Sequence, residues 1–288
     1  MQKNVQESLV GRAEYLMLHP FSVHEILFSI PKTDIVKMIY QGGWPELYVR
    51  PGLDPKNYLN DYLKIYLEKD VMSVSGIEKR HDFLKFCGLL AARTSQLLNY
   101  ENIANQIGVA NKTIRDWISV LEQSNFISLL QPFHSNLNKR LLKTPKVYFL
   151  DTGLATRLQG HYYSELMMRS PHAGHLFENL VFCEIKKTID HFHLDWLLYF
   201  WRTKDQEEID FILKLKTAWI VINANMSISG IPKLSPSRSM IETLSQEHST
   251  PIYKAIVSYA GEAFKLSEDC EQIPLSELTS WLLKMANS

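Results

Sequence analysis

A chain of 288 residues, 45% of them hydrophobic, can bury two or three compact cores, which excludes an intrinsically disordered protein. Lysine plus arginine and aspartate plus glutamate each total 31, so any affinity for nucleic acid has to come from a local patch. There is no apolar run of about 18 residues and no basic start leading into a long apolar stretch, which argues against a membrane span or a secretory leader. The three cysteines, Cys87, Cys183 and Cys270, are far apart and form no metal-ligand pattern. They read as core residues of a cytoplasmic protein.

Residues 1-88 read as helical and rich in aromatics. In NYLNDYLKIYLEKDV, the positions Tyr58, Leu59, Tyr62, Leu63, Tyr66 and Leu67 recur at helical spacing and form a broad apolar face, which assigns the rings to a core rather than a ligand box. Residues 89-160 change character. One helix turns Ile103, Ala104 and Ile107 inward, a turn follows at Gly108 and Val109, and a second helix capped by Asn111 turns Ile114, Ile118 and Leu121 inward. That is a helix-turn-helix pattern, and FISLL and KVYFLD read as strands flanking a wing, QPFHSNLNKRLLKTP.

Residues 161-288 mix the two periods. A helix over Gly174 to Ile189 precedes strands near YFWRT, EIDFIL and AWIVINA, then a helix near Pro236 to Glu247, a strand IYKAIVSY and a closing helix from Ser276 to Met285. SISGIPKLSPSRS reads as a mobile loop. The expected fold class is α+β: a helical subdomain, a winged helix-turn-helix and an α/β domain.

The second helix of the pair leaves Lys112, Thr113, Arg115, Asp116 and Ser119 off its apolar side. The basic residues Lys139, Arg140, Lys143 and Lys146 follow between Asn125 and Leu150, with no acid among them. This patch leads to an expectation of double-stranded DNA as partner. Asp116 in the middle of the face points to non-specific or shape-led binding. The alternative is a module that packs against or contacts another protein.

On the long helix, Glu178 shares a stripe with Val181, Phe182, Ile185 and Ile189, and Asp210 interrupts an apolar strand. In the next strand Trp219, Val221, Asn223 and Asn225 share one side. A nuclease core of the PD-(D/E)xK type uses this layout with an acid and a lysine where Asn223 and Asn225 stand. A hydrolytic Mg²⁺ needs anionic oxygens, and a neutral carbonyl and an amide supply neither the charge nor the ammonium. No catalytic residue, cofactor or metal is therefore expected. The alternative is a weak metal-dependent nuclease that recruits Glu207 or Glu208. A third reading makes Glu178 and Asp210 buried polar groups bonded to backbone amides or to Arg202.

The order of ESLVGR, LHPFSVHEI, GGWPELY, SNFISLL, KTPKVYFLDTGLATRL, GHLFENLVFCEI and FWRTKDQEEIDFIL resembles the C-terminal portion of AAA-type ATPases that carry a DUF4143 domain. The resemblance spans nearly the whole chain. It implies a P-loop domain upstream of ESLVGR, and nothing in this sequence matches the phosphate-cradling GxxxxGK[ST] loop. It ties ATP and Mg²⁺ to that missing domain alone, and makes the domain itself a candidate partner. It also implies that Arg12 could point toward nucleotide or a neighbouring subunit in a full-length relative, although a structural ion pair is expected for it here.

Overall fold

The computed structural model describes residues 16–72, 76–133, 144–203, 207–226, 244, 251–259, 261–268 and 270–286. Helices dominate the first two thirds, and a six-stranded sheet occupies the last, so the chain is mixed α+β. Arg12, Lys139, Arg140, Lys143 and the loop SISGIPKLSPSRS lie outside the described residues, as does the helix expected near 236–247 except for Leu244.

Helix α1 (Val23–Ser29) begins with a reciprocal cap in which Ser22 accepts the Glu25 N–H at 3.1 Å and the Glu25 carboxylate accepts the Ser22 N–H at 2.8 Å. Helices α2 (Ile35–Gln41) and α3 (Glu46–Val49) flank the Gly42–Gly43 turn. Helix α4 (Pro55–Ile65) runs on into a π-helical stretch, Tyr66–Met72. Its buried face is the predicted one, with Leu59, Leu63 and Leu67 in the core and Tyr58, Tyr62 and Tyr66 half-buried beside it.

Helix α5 (Arg80–Ala91) supports a pair, α6 (Tyr100–Ile107) and α7 (Asn111–Gln123), whose inward residues are those the periodicity marks. Trp117 of α7 joins them and meets Phe83 and Phe86 of α5 at 5.4 Å. Gly108 closes α6 in the left-handed region at φ 85°, where a side chain would be strained. The start of α7 differs from expectation, because Ala110 is the N-cap. Asn111 is already helical, and its side chain accepts the Arg115 Nε–H at 3.1 Å instead of capping the backbone.

Strands β1 (Ile127–Leu130) and β2 (Lys146–Phe149) pair antiparallel, with Leu130 opposite Lys146, and Leu97 bridges to Lys146 as well. After β1 the chain continues onto the large sheet. Phe200 donates to the Gln131 carbonyl at 3.1 Å, and Phe133 donates to the Phe200 carbonyl at 2.6 Å, so the edge of that sheet is covered.

Helices α8 (Thr152–Leu158), α9 (Ser164–Met168) and α10 (Ala173–His191) lead into β3 (Leu197–Arg202), β4 (Glu208–Lys214), β5 (Trp219–Asn225), β6 (Ile252–Ser258), β7 (Phe264–Ser267), β8 (Cys270–Pro274) and α11 (Leu278–Ala286). The sheet order is β3-β4-β5-β6-β8-β7, with β5-β6 and β6-β8 parallel and the other pairs antiparallel. Strands β7 and β8 were not expected, because FKLS and CEQIP are only four and five residues long, too short for their pattern to stand out. Every residue of β7 is exposed.

A bulge in β4 sets the position of one acid. Tyr199 faces Ile212 while Trp201 faces Ile209, so Asp210 and Phe211 stand opposite one residue, Phe200. Both turn toward α10, where Phe211 meets Phe182, while Ile209 and Ile212 share the small cluster on the other face with Trp219 and Val221. Strict alternation would have separated Asp210 from Phe211.

The glycine motifs interlock. Asp151 caps α8 by accepting the Leu154 N–H at 3.1 Å and also accepts the Gly43 N–H at 2.8 Å. A Cβ on Gly42 would lie 2.1 Å from the Asp151 carboxylate, and one on Gly153 would lie 2.5 Å from the Gln41 backbone. Gly153→Ala is therefore expected to destabilise the fold by about 2–3 kcal/mol through backbone overlap. Gly88→Ala within α5 meets only an ordinary contact at 3.5 Å and is expected to be neutral or to stabilise by up to about 1 kcal/mol. Denaturant titration of the two variants checks the opposite signs.

Candidate functional site

Three elements that are distant in sequence converge at one buried cluster. Strand β2 supplies Lys146 and Tyr148, helix α10 supplies Glu178, and bulged β4 supplies Glu208 and Asp210. The Lys146 ammonium lies 2.8 Å from Glu178 Oε1 and 3.8 Å from Asp210 Oδ1, and it is also ion-paired with Glu208. Tyr148 donates its hydroxyl to Glu178 Oε1 at 2.6 Å and stacks on Phe182 at 4.2 Å. Arg202 lies 3.1 Å from the second oxygen of Glu208, and the Ala224 N–H of β5 donates to Asp210 Oδ2 at 2.8 Å.

The electrostatics follow from burial and charge count. Burial disfavours the Lys146 ammonium, yet Glu178, Asp210 and Glu208 outweigh it and hold the group above the ordinary lysine range. Burial and the neighbouring Glu178 charge push Asp210 up to about 7, against the pull of Lys146 and the Ala224 N–H. Glu178 is also raised by burial, with Lys146 and Tyr148 opposing. Burial, then the Lys146 charge, lowers His175 nearby.

The nuclease-like positions are thus brought together in part. Glu178 and Asp210 share one cluster, and of the two acids that could join them Glu208 does, while Glu207 is exposed. Asp210 meets a backbone amide, as one reading expected, but Arg202 bonds Glu208. The Asn223 side-chain oxygen is buried without a hydrogen-bond partner among the described residues. Lys146 was expected on the DNA-facing wing. At 1% exposure it points into the protein, because its stem ends among three carboxylates.

Sequence reasoning missed two groups here. Tyr148 follows Lys146 at strand period, so KVYF already placed both on one side. Asn179, beside Glu178, is fully buried and makes a strand-like pair with Phe149, accepting its N–H and donating to its carbonyl, each at 2.8 Å.

The exposed face of α7 carries Lys112, Arg115, Asp116 and Ser119, with Thr113 half-buried. Arg115 is pre-organised, because its guanidinium lies 4.3 Å over the Tyr100 ring while Nε bonds Asn111. It borders a cleft of about 370 Å³ lined by Asn99, Tyr100, Asn111 and Thr144. Tyr62 and Tyr66, assigned to the core, also line a cavity of about 420 Å³ with Trp44 and Phe126.

Among the described residues no group of three or more His, Cys, Asp or Glu is arranged to hold a metal ion. The cysteines are buried, and burial pushes the Cys87 thiol up and the Cys183 thiol up to about 12, the reverse of an activated thiolate. No helix among the described residues is long and apolar enough to cross a membrane.

Two family models match the chain: a domain of unknown function, DUF8612, over residues 32–164, and a domain of unknown function, DUF4143, over residues 173–278. The first covers the helices through the helix pair and β2, and the second covers α10 and the sheet. Uncharacterized proteins of Mycobacterium tuberculosis (Rv2008c) and Mycobacterium bovis (Mb2031c) are each 26% identical over 274 residues, covering 94% of this chain and 59% of the relative. An uncharacterized protein of Methanocaldococcus jannaschii (MJ1637) is 26% identical over 136 residues, or 46% of this chain and 28% of that protein. The chain thus spans about three fifths of the length of the mycobacterial relatives, at 59%. A crystal structure of protein VC1899 from Vibrio cholerae aligns over 97% of this chain and 64% of its own, with 12% identity and a TM-score of 0.26.

The raised Asp210 has a consequence for stability. Its carboxyl is held near 7 in the fold against 3.8 for the ordinary group, so both states are protonated below about pH 4. Between those values the unfolded chain ionises first, and this contribution is lost as pH rises toward 7, at up to about 1.4 kcal/mol per pH unit. Asp210→Asn removes that component. The stability of the variant relative to the parent is expected to grow from pH 4 to 7 in denaturant titrations, and a pH-independent difference would contradict the assignment.

Proposed function

We propose that residues 80–149 form a winged helix-turn-helix that binds duplex DNA without cutting it. The six-stranded domain is then a PD-(D/E)xK-type fold whose acids serve as structure. The observation that carries the reading is the face of α7. Lys112, Arg115 and Ser119 are exposed along a helix whose opposite side is locked in the core, and Arg115 is held out by Tyr100 and Asn111. The isolated bridge to Lys146 is made by Leu97, between α5 and α6, where a winged helix has its short first strand, and supports the reading.

Cations fixed on a rigid face attract phosphate without reading bases, and Asp116 among them works against tight base contacts. The wing cations Lys139, Arg140 and Lys143 belong to the same reading. Lys146 does not, since it is consumed inside. ATP and Mg²⁺ belong only to a P-loop domain preceding this region in longer AAA-type relatives, in which Arg12 would point toward nucleotide or a neighbouring subunit.

Metal-dependent cutting is the competing chemistry, and the cluster as placed does not fit it. The carboxylates that would hold the ion close on Lys146, and Asn223 and Asn225 stand where a further acid and a lysine would be needed. No hydrolytic step is derived from this arrangement.

Fluorescence anisotropy of a labelled duplex against salt tests the proposal. Affinity is expected to fall log-linearly with salt, and replacing Lys112 and Arg115 by Gln should flatten the slope by about 2, roughly one unit for each phosphate contact. Absent salt-sensitive affinity, together with a protein that co-purifies stoichiometrically, would transfer the reading to an interaction module. Incubation of the same duplex with Mn²⁺ or Mg²⁺ is expected to leave it intact.

A further inference from the structure

We propose that Lys146 is the resident cation of the carboxylate cluster, so that acids which would otherwise draw an exchangeable cation are held instead as a tethered joint between β2 and the sheet. This inference concerns the interior of the protein and does not depend on whether α7 meets DNA.

Glu178, Glu208 and Asp210 bring three carboxylates into one largely dry space, and such a group persists only with cations or protons to match it. Among the described residues two cations reach it. Arg202 takes the outer oxygen of Glu208, and Lys146 takes the centre, within ion-pair distance of all three acids at once. The position within reach of oxygens from all three carboxylates is filled here by an ammonium.

The anchoring of Lys146 makes this occupancy permanent. Its backbone pairs with Leu130 and bridges to Leu97, and every residue of β2 is buried. Asn179 clamps the Phe149 backbone from α10, and Tyr148 shares Glu178 Oε1 with the ammonium. A lysine on a mobile loop could yield to an incoming ion, whereas withdrawing this one requires lifting β2 off α10. The cluster therefore ties the helix-pair module to the sheet by a bond that no chelator or metal exchange can reach.

Manganese titration of the intact chain tests the inference, read by calorimetry and by thermal melting. The parent is expected to show no saturable Mn²⁺ binding and a melting temperature moved by less than about 1 °C. Lys146→Met, which keeps length and volume but removes the charge, is expected to melt roughly 10 °C lower. Mn²⁺ should then recover at least about half of that loss, because the vacated carboxylates accept it. Saturable Mn²⁺ binding by the parent that disappears in Asp210→Asn would overturn the proposal, and so would a folded Lys146→Met chain indifferent to Mn²⁺. Should Lys146→Met fail to fold, the parent titration decides alone.

Discussion

The structure depends on the polar stripe of α10, a helix buried on most sides that still carries Glu178, Asn179, Glu184, Lys187 and Thr188. Buried polar groups have to be satisfied, and these find their partners far away in the chain. Glu178 takes the Lys146 and Tyr148 side chains, and Asn179 takes the Phe149 backbone. One turn further on, Glu184 accepts the Val23 and His24 amides at 2.8 and 3.2 Å and the Thr279 hydroxyl at 2.7 Å, while Lys187 donates to the Phe21 carbonyl at 2.8 Å. One helix thus fixes where the N-terminal segment, strand β2 and the closing helix lie. Apolar packing alone would tolerate several registers, whereas a half-satisfied polar stripe would not.

The reading of function rests on the same constraint. A DNA-facing helix is useful only if it is held at a fixed angle to the rest of the molecule, and α7 is held through β1 and β2. Strand β2 is locked to α10, and the residues after β1 are added to the edge of the sheet. The acids that suggest hydrolysis, Glu178, Glu208 and Asp210, all lie within ion-pair distance of Lys146 on β2. The asparagines of β5 agree with that use, since a structural joint needs neither a second acid nor a catalytic lysine. The bulge in β4 belongs to the same design, because without it Asp210 would face the opposite side of the sheet from Lys146.

Much of the fold was legible because periodicity is local. The faces of α4, α6 and α7, the strands β3 to β6, and the long α10 all carry their pattern in consecutive residues. What escaped was non-local or short. Strands β7 and β8 are too brief, at four and five residues, for a period of two to be told from chance. Asn111 looked like a cap, but its side chain had a better partner in Arg115 four residues on. Glu178 and Asp210 could be singled out as acids in apolar surroundings, but their partner could not. Lys146 looked like one more cation in a basic wing, and only the turn of β2 onto α10 shows which way it points. The pairing of GGWPELY with KVYFLDTGLA likewise appears only when Gly42 and Gly43 are seen against Asp151, since neither motif names the other.

Native-state hydrogen exchange at the Phe149 amide addresses the central claim most directly, because that N–H is held by Asn179 of α10. If α10 locks the wing strand to the sheet, this amide should exchange only through global opening, with the same free energy as the slowest amides of α10 itself. Exchange through a separate opening of distinctly lower energy would mean that β2 lifts away while α10 stays folded, and the joint would not be what holds the molecule together.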